Sequence, residues 1–323
     1  PRIANPAGVE VAADLESPQK RAALAAWLTS ADNPLVARSI VNRVWQHHFG
    51  RGLSTTPSDF GVMGEPPSHP DLLDFLAWRF RQRGWSLKAL HREIVLSAVY
   101  QTRSYQRADD PGESAARWQS ARQIDPSNRW LSRFPRRRLD AEAIRDALLA
   151  VSGSLNRHGG GPGVRPPLPA EMVKTLLKNQ WEASPREADR FRRSLYIFAR
   201  RNLRYPMLAT FDRPAANASC AVRQPSTTAV QSLVLFNSEL TMTVSRRLAG
   251  ELERDHPGDR AAQCLALYRR LFSRLPEPTE LDACLRFLDT QTELLGDDRP
   301  AAQSAQIDLC RALVNASEFL YVD

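Results

Sequence analysis

His47, Asp59 and Asp212 are the residues of this chain whose types could serve as acid/base groups, and Arg43, Arg213, Arg223 and Gln224 are those that could hold a ligand. A guanidinium grips carboxylate, sulfate or phosphate through two parallel N–H donors, so a cleft holding these groups suits an anionic or polyhydroxyl ligand. Proton transfer by His47, Asp59 and Asp212 would make the same cleft a hydrolase or oxidoreductase site acting on polysaccharide. All seven residues are spread over one predicted helix and two irregular segments, so either chemistry depends on the fold bringing them together with Cys220. The plainer alternative is that Arg43 and Arg213 pair with Asp59 and Asp212 only to tie loops down, in a structural or docking domain without catalysis.

Other groups carry less. Adjacent His47 and His48 point about 100° apart on a helix, so they do not easily share one ion. His69 and His91 complete no ligand spacing, and no metal is assigned. Glu142 and Asp146, four apart on one helix face beside Arg145 and the Arg136-Arg137-Arg138 run, read as an ion-pair network before an acid/base pair. Cys220, Cys264, Cys284 and Cys310 have neither CxxC nor CxxCH spacing, which excludes a zinc ribbon or a covalently attached haem within this chain. Three of them fall in predicted amphipathic helices, where buried thiols and disulfides are both open readings. The GGGPG run lacks the Lys-Ser/Thr of a phosphate loop and follows no strand, and it reads as a hinge or lid.

The elements that must position these residues are mostly helical. Asn33-Pro34 opens and Gly50 closes a helix on which Val36, Ile40, Arg43, Val44 and His47 share one face at 100° per residue. If that face is the buried one, Arg43 needs acidic or carbonyl partners, since stranding a buried charge costs about 3–5 kcal/mol. The Pro- and Gly-rich residues 53–70 form a long structured loop, and helices over 71–83 and 87–100 form a hairpin with Ser86 as cap. A polar excursion is expected over 101–125, a short helix from Pro126, and an amphipathic helix over 139–154. Gly/Pro-rich residues 158–169 follow, then a strand over 194–199, a long helix over 227–252, and helices over 260–273, 278–294 and 301–320. Residues 1–16 show no period and read as an extended arm.

This amounts to a mainly α, multi-helical globular fold with a minor strand element and long structured loops. Its expected parts are an N-terminal helical part (1–157), a hinge or lid region (158–193) and a C-terminal part (194–323), the whole forming one large domain or two close-packed halves. The net charge of +8 comes from 44 basic residues interleaved with 36 acidic ones, which argues against the one-sided basic face of a nucleic-acid binder. Mean hydropathy is −0.42, and no apolar run is long enough for a membrane span.

Several strings then stand together in order: NPLVARSIVNRVWQHHFGRGL, TPSDFG, PPSHPDLLDFLAWRF, GWSLKALHREIVLSAVYQ, RRLDAEAIRDALLAVSG, RRSLYIFARRN, FDRP and LCRALVNASEFLYVD. With these the chain resembles the planctomycete C-terminal domain of unknown function, family 1553, over nearly its whole length. The resemblance implies the C-terminal part of an exported, periplasmic or cell-surface protein. It implies partner domains upstream in the same polypeptide, among them a cytochrome c domain whose haem c would lie outside this chain. It also associates the family with polysaccharide breakdown, without supplying a reaction.

Overall fold

The computed structural model describes residues 16–30, 32–106, 110–176, 180–296 and 299–322. Apart from Glu16, the expected N-terminal arm lies outside these residues. Among them are fifteen α-helices and one two-stranded sheet, β1 (Arg137–Arg138) with β2 (Tyr321–Val322), so the fold is mainly α. The chain divides into two compact units, Pro1–Arg137 and Arg138–Val322. The Gly/Pro segment 158–169 therefore lies inside the second unit and not between the two.

The first unit is built on α1 (Ser17–Thr29), α2 (Leu35–Phe49), α3 (Pro70–Gln82), α4 (Leu87–Val95) and α5 (Gly112–Ile124). Asn33 launches α2 by accepting the Leu35 N–H at 2.9 Å. Gly50 ends it at φ 77°, a left-handed conformation that glycine adopts without steric cost. The buried face, however, is Ala37, Val41, Val44, Trp45 and Phe49 with the amide of Asn42, while Arg43 and His47 are exposed. This corrects the stripe expected from sequence, and the reason is area. Trp45 and Phe49 stack at 4.3 Å and each hide far more apolar surface than Val36 or Ile40, at about 25 cal/mol per Å². Leu73, Leu76 and Phe80 of α3 and Leu90 and Ile94 of α4 complete this core, and Ser86 caps α4 by accepting the Ala89 N–H.

Two local expectations fail in this unit. A helix, α5, occupies much of the expected polar excursion, although none of its residues is buried. The helix expected from Pro126 is absent because the Asp125 carboxylate takes the Arg129 and Trp130 N–H groups at 2.9 and 2.7 Å. A side chain that bonds its own backbone in this way competes with helix formation, and the segment closes into turns.

The second unit begins with α6 (Ala141–Val151) and the short α7 (Ala170–Thr175), α8 (Glu187–Arg190) and α9 (Pro206–Thr210). It continues with α10 (Ala229–Asn237), α11 (Glu239–Asp255), α12 (Arg260–Phe272), α13 (Pro278–Leu295), α14 (Arg299–Val314) and α15 (Ser317–Leu320). Ile144, Leu148, Leu208, Leu248, Leu267 and Leu309 lie in one apolar core. The long helix expected over 227–252 breaks at Ser238, whose ψ of 144° is extended and whose hydroxyl caps α11 at the Thr241 N–H.

The strand expected over 194–199 is instead a 3-10 turn, Ser194–Tyr196, followed by an isolated bridge between Ile197 and Val164. Side chains from α6 explain the difference. Asp146 accepts the Ser194 N–H at 2.7 Å, and Arg145 donates to the Ser194 hydroxyl at 3.2 Å, so α6 holds the start of the segment, and only Tyr196 and Phe198 bond an extended neighbour, at Val164. Arg192 holds the Gly/Pro segment by donating to the carbonyls of His158, Gly160 and Pro162. Gly160 and Gly161 accommodate the turn there at φ 75° and 78°.

Candidate functional site

In the first unit, the outward side of α2 is one wall of a groove. Val36 and Ile40 with Pro57 and Phe60 of the long loop line an open volume of about 470 Å³, and Ser39, Ser58 and Arg43 also lie on its lining. The stripe that sequence periodicity marks as core is thus mostly a half-buried groove wall. Arg43 has no ion-pair or hydrogen-bond partner among the described residues.

The loop keeps its shape through α2 itself. Asn42, fully buried, accepts the Ser54 N–H at 2.8 Å and donates to the Ser54 carbonyl at 3.0 Å. Gly52 lies so close that a Cβ there would come within 2.5 Å of the Ser54 carbonyl and 2.7 Å of the Asn42 amide. Further along, the Thr56 hydroxyl donates to the Asp59 carbonyl and accepts the Glu65 N–H. Asp59 is exposed, and its carboxylate accepts the Gly61 N–H at 2.9 Å, a turn-forming contact.

His48, not His47, is the histidine of α2 that meets another. Its Nε2 lies 2.7 Å from His91 Nδ1 on α4, and its ring meets Tyr100 edge-on. Partial burial, reinforced by the positive fields of His91, Arg137 and His47, pushes the His48 imidazole below its ordinary value. No group of three or more histidine, cysteine or acidic side chains placed to hold a metal ion exists among the described residues.

The remaining candidates, Asp212, Arg213, Arg223 and Gln224, belong to the second unit. Asp212 sits at φ 64°, a left-handed position that Asp tolerates better than most residues. One carboxylate oxygen takes Arg138 Nη2 and the Ser226 N–H, both at 2.8 Å, and the other takes the Ser226 hydroxyl at 2.8 Å. Arg138, only 5% exposed, also donates to the Phe211 carbonyl and to Gln231 Oε1. Burial works to raise the Asp212 carboxyl, but the Ser226 N–H and the Arg138 guanidinium outweigh it and hold the group below the usual carboxylate range.

Arg223 binds Glu142 in a fork at 2.7 and 3.2 Å, with Asp140 at 3.6 Å from the same guanidinium, and Arg213 reaches Glu142 at 3.5 Å. Burial again opposes ionisation of Glu142, and the two guanidinia prevail, leaving it low. The network reading of Glu142 is right in kind, although its partners come from 213–223 and not from Arg145 or residues 136–138. Gln224 is exposed. The four cysteines are unpaired thiols, with Cys264, Cys284 and Cys310 buried and Cys220 exposed.

Sequence reasoning named His91 and Arg138 without their partners, which lie 43 and 74 residues away, and passed over Gln231, which donates to the Thr210 carbonyl 21 residues away. No spacing rule connects positions so far apart, although the Thr228-x-x-Gln231 capping box at the start of α10 is a local signal that marks Gln231. A family model described as a protein of unknown function, DUF1553 (PSD1), matches residues 20–288. No curated protein and no solved structure matches the chain. No helix among the described residues is long and apolar enough to cross a membrane.

Proposed function

We propose a ligand-binding role for this chain, which belongs to the DUF1553 family: an anionic carbohydrate bound in the α2 groove of the first unit. The observation that carries this reading is that Arg43, without an ion-pair or hydrogen-bond partner among the described residues, lines a groove about 470 Å³ in size. The other ligand-binding arginines, Arg213 and Arg223, are engaged with Glu142. Val36, Ile40, Pro57 and Phe60 offer an apolar wall for the C–H face of a sugar ring, Ser39 and Ser58 offer hydroxyls, and Arg43 offers the fork that grips a carboxylate or sulfate. Asp212 already accepts Arg138 and Ser226, which weighs against it as the acid or base of a trio with His47 and Asp59. Support for export, for an upstream cytochrome c domain and for a polysaccharide setting comes from the sequence resemblance alone, and the groove proposal does not depend on it.

Thermal unfolding in the presence of uronate-containing and sulfated oligosaccharides tests the reading. Protection of the wild-type chain that is lost in Arg43→Gln, with the ligand-free midpoint unchanged, is the expected result. No shift across the panel leaves a docking domain without such a ligand. A shift retained in Arg43→Gln but lost in Arg223→Ala moves the site to the second unit.

A further inference from the structure

At the C-terminal end of α2 the first unit holds a small cavity of about 80 Å³, walled by Trp45, Phe49, Leu53, Leu131 and Pro135. Phe49 and Leu53 are buried, and Trp45, stacked on Phe49 at 4.3 Å, is only 5% exposed. A tryptophan buried to this degree normally gives its N–H to a partner. The Trp45 indole N–H has none among the described residues, yet its nitrogen is not sealed from solvent. An almost fully buried side chain on the cavity wall thus keeps an open, unused donor. The wall is also held under strain: Asn128 and Leu131 on the lining take left-handed backbone at φ 52° and 55°. Asparagine tolerates that conformation, whereas a leucine adopts it only where its surroundings impose it.

Charge selects the occupant. Arg51 and Arg129, both exposed, also line the cavity, and neither guanidinium has an ion-pair or hydrogen-bond partner among the described residues. Among the described residues no carboxylate side chain lines it. Asp125, which shapes the neighbouring turn, is committed to the Arg129 and Trp130 N–H groups. An N–H donor in the wall, two guanidinia at the rim and apolar surface between them suit an anion with an apolar end, and the volume admits only a few non-hydrogen atoms. We propose that this cavity binds a short-chain carboxylate of acetate to butyrate size. Trp45 Nε1–H donates to one carboxylate oxygen, Arg51 and Arg129 supply the positive field, and the alkyl end lies on Phe49, Leu53 and Leu131. The site shares no residue with the lining of the Arg43 groove and does not depend on that reading.

The test follows the Trp45 indole N–H resonance of the isotope-labelled whole chain, identified by its loss in Trp45→Phe, during titration with acetate, propionate and butyrate at constant ionic strength. Chloride and propionamide serve as the inorganic-anion and neutral controls. Arg51→Gln and Arg129→Gln together remove the charge at exposed positions and leave the core untouched. The expected result is a saturable shift of the Trp45 resonance with at least one carboxylate, an affinity weakened about tenfold in the double arginine variant, and calorimetric binding lost in Trp45→Phe but unchanged in Arg43→Gln. A resonance that no carboxylate moves means that water alone meets the N–H, and it overturns the proposal. So does chloride or propionamide binding as tightly as the best carboxylate, or an affinity that the double variant retains in full. If Trp45→Phe does not fold, the wild-type titration and the arginine variants decide. Failure of the Arg43 groove to bind anionic sugars leaves these outcomes unaffected.

Discussion

His48 and His91 face each other across α2 and α4 with Nε2 and Nδ1 2.7 Å apart. At that distance one ring donates and the other accepts, so the pair is satisfied when it carries at most one extra proton. Placing a proton on both rings removes the acceptor and sets two cations in contact, with the Arg137 and His47 fields adding to the repulsion at His48.

The consequence for stability follows from linkage. Above the ordinary value of 6.5, folded and unfolded chains both hold a neutral His48 and the residue contributes no pH dependence. As pH falls below that value, the unfolded chain takes up the proton first, and the fold loses stability until the lowered folded value is passed. The slope is bounded by one proton, about 1.4 kcal/mol per pH unit, and solvent contact reduces it. Denaturation midpoints measured from pH 7 to 5 are expected to fall for the wild-type chain and to fall less in His91→Gln. The low-lying carboxyls Asp212 and Glu142 lose their contribution only at more acid pH, so the windows separate. Equal slopes in both proteins would assign the fall to other groups.

Asn42 supplies both a donor and an acceptor to Ser54, inside the core. Asn42→Ala strands a buried N–H and a buried carbonyl together, a loss of about 2–4 kcal/mol. Gly52→Ala drives a methyl against the same amide and the Ser54 carbonyl. Urea unfolding is expected to show both variants destabilised. Limited proteolysis is expected to cut first within residues 53–68, and cleavage starting elsewhere would show that Asn42 is not what holds the loop.

What the sequence disclosed, and what it hid, divides along the range of the interactions. The start of α2 at Asn33, its stop at Gly50 and the Ser86 cap of α4 all rest on partners within four residues, and local rules find them. Periodicity also found a real face on α2, but could not tell a groove wall from a core wall, because Trp45 and Phe49 compete for burial and three-dimensional packing decides. The buried guanidinia that find carbonyls or carboxylates are those of Arg138, Arg145 and Arg192, whereas Arg43 is exposed. Their partners, at Asp212, at 190–194 and at 158–162, lie 30 to 74 residues away. The apolar 194–199 run looks like a strand until Asp146 and Arg145 take hold of Ser194.

Asp212 is the residue on which the catalytic and structural readings differ most. Asp212→Ala leaves the Arg138 guanidinium, 5% exposed, without its carboxylate and puts a Cβ-only side chain at φ 64°. The expected loss is about 3–5 kcal/mol, the cost of breaking one side of a buried pair. Asp212→Asn tolerates the left-handed backbone and keeps some hydrogen bonds, so it is expected to lose less. Calorimetric midpoints in that order, Ala below Asn below wild type, support a structural knot. Wild-type stability in both variants would return Asp212 to the list of acid/base candidates.

Arg145 is 1% exposed and bonds no carboxylate among the described residues; it donates to the Arg190 carbonyl at 2.7 Å, the Arg192 carbonyl at 3.0 Å and the Ser194 hydroxyl at 3.2 Å. One planar fork thereby fixes three residues of the 190–194 turn against α6, and its face lies over the Tyr205 ring at 5.9 Å. A lysine reaches the same place as a point charge and cannot span the two carbonyls. Arg145→Lys is therefore expected to destabilise the second unit by about 2–4 kcal/mol, from lost charge-assisted bonds and stranded carbonyls. Arg145→Met removes the buried charge but strands the same carbonyls, and is expected to fall in the same range. Amide exchange measured on both variants should rise first at Ser194 and Tyr196, whose N–H groups are bonded to Asp146 and to the Arg193 carbonyl within that turn. Exchange that stays at wild-type rates there, with stability unchanged, would mean that the Asp146 and Arg193 contacts hold the turn unaided.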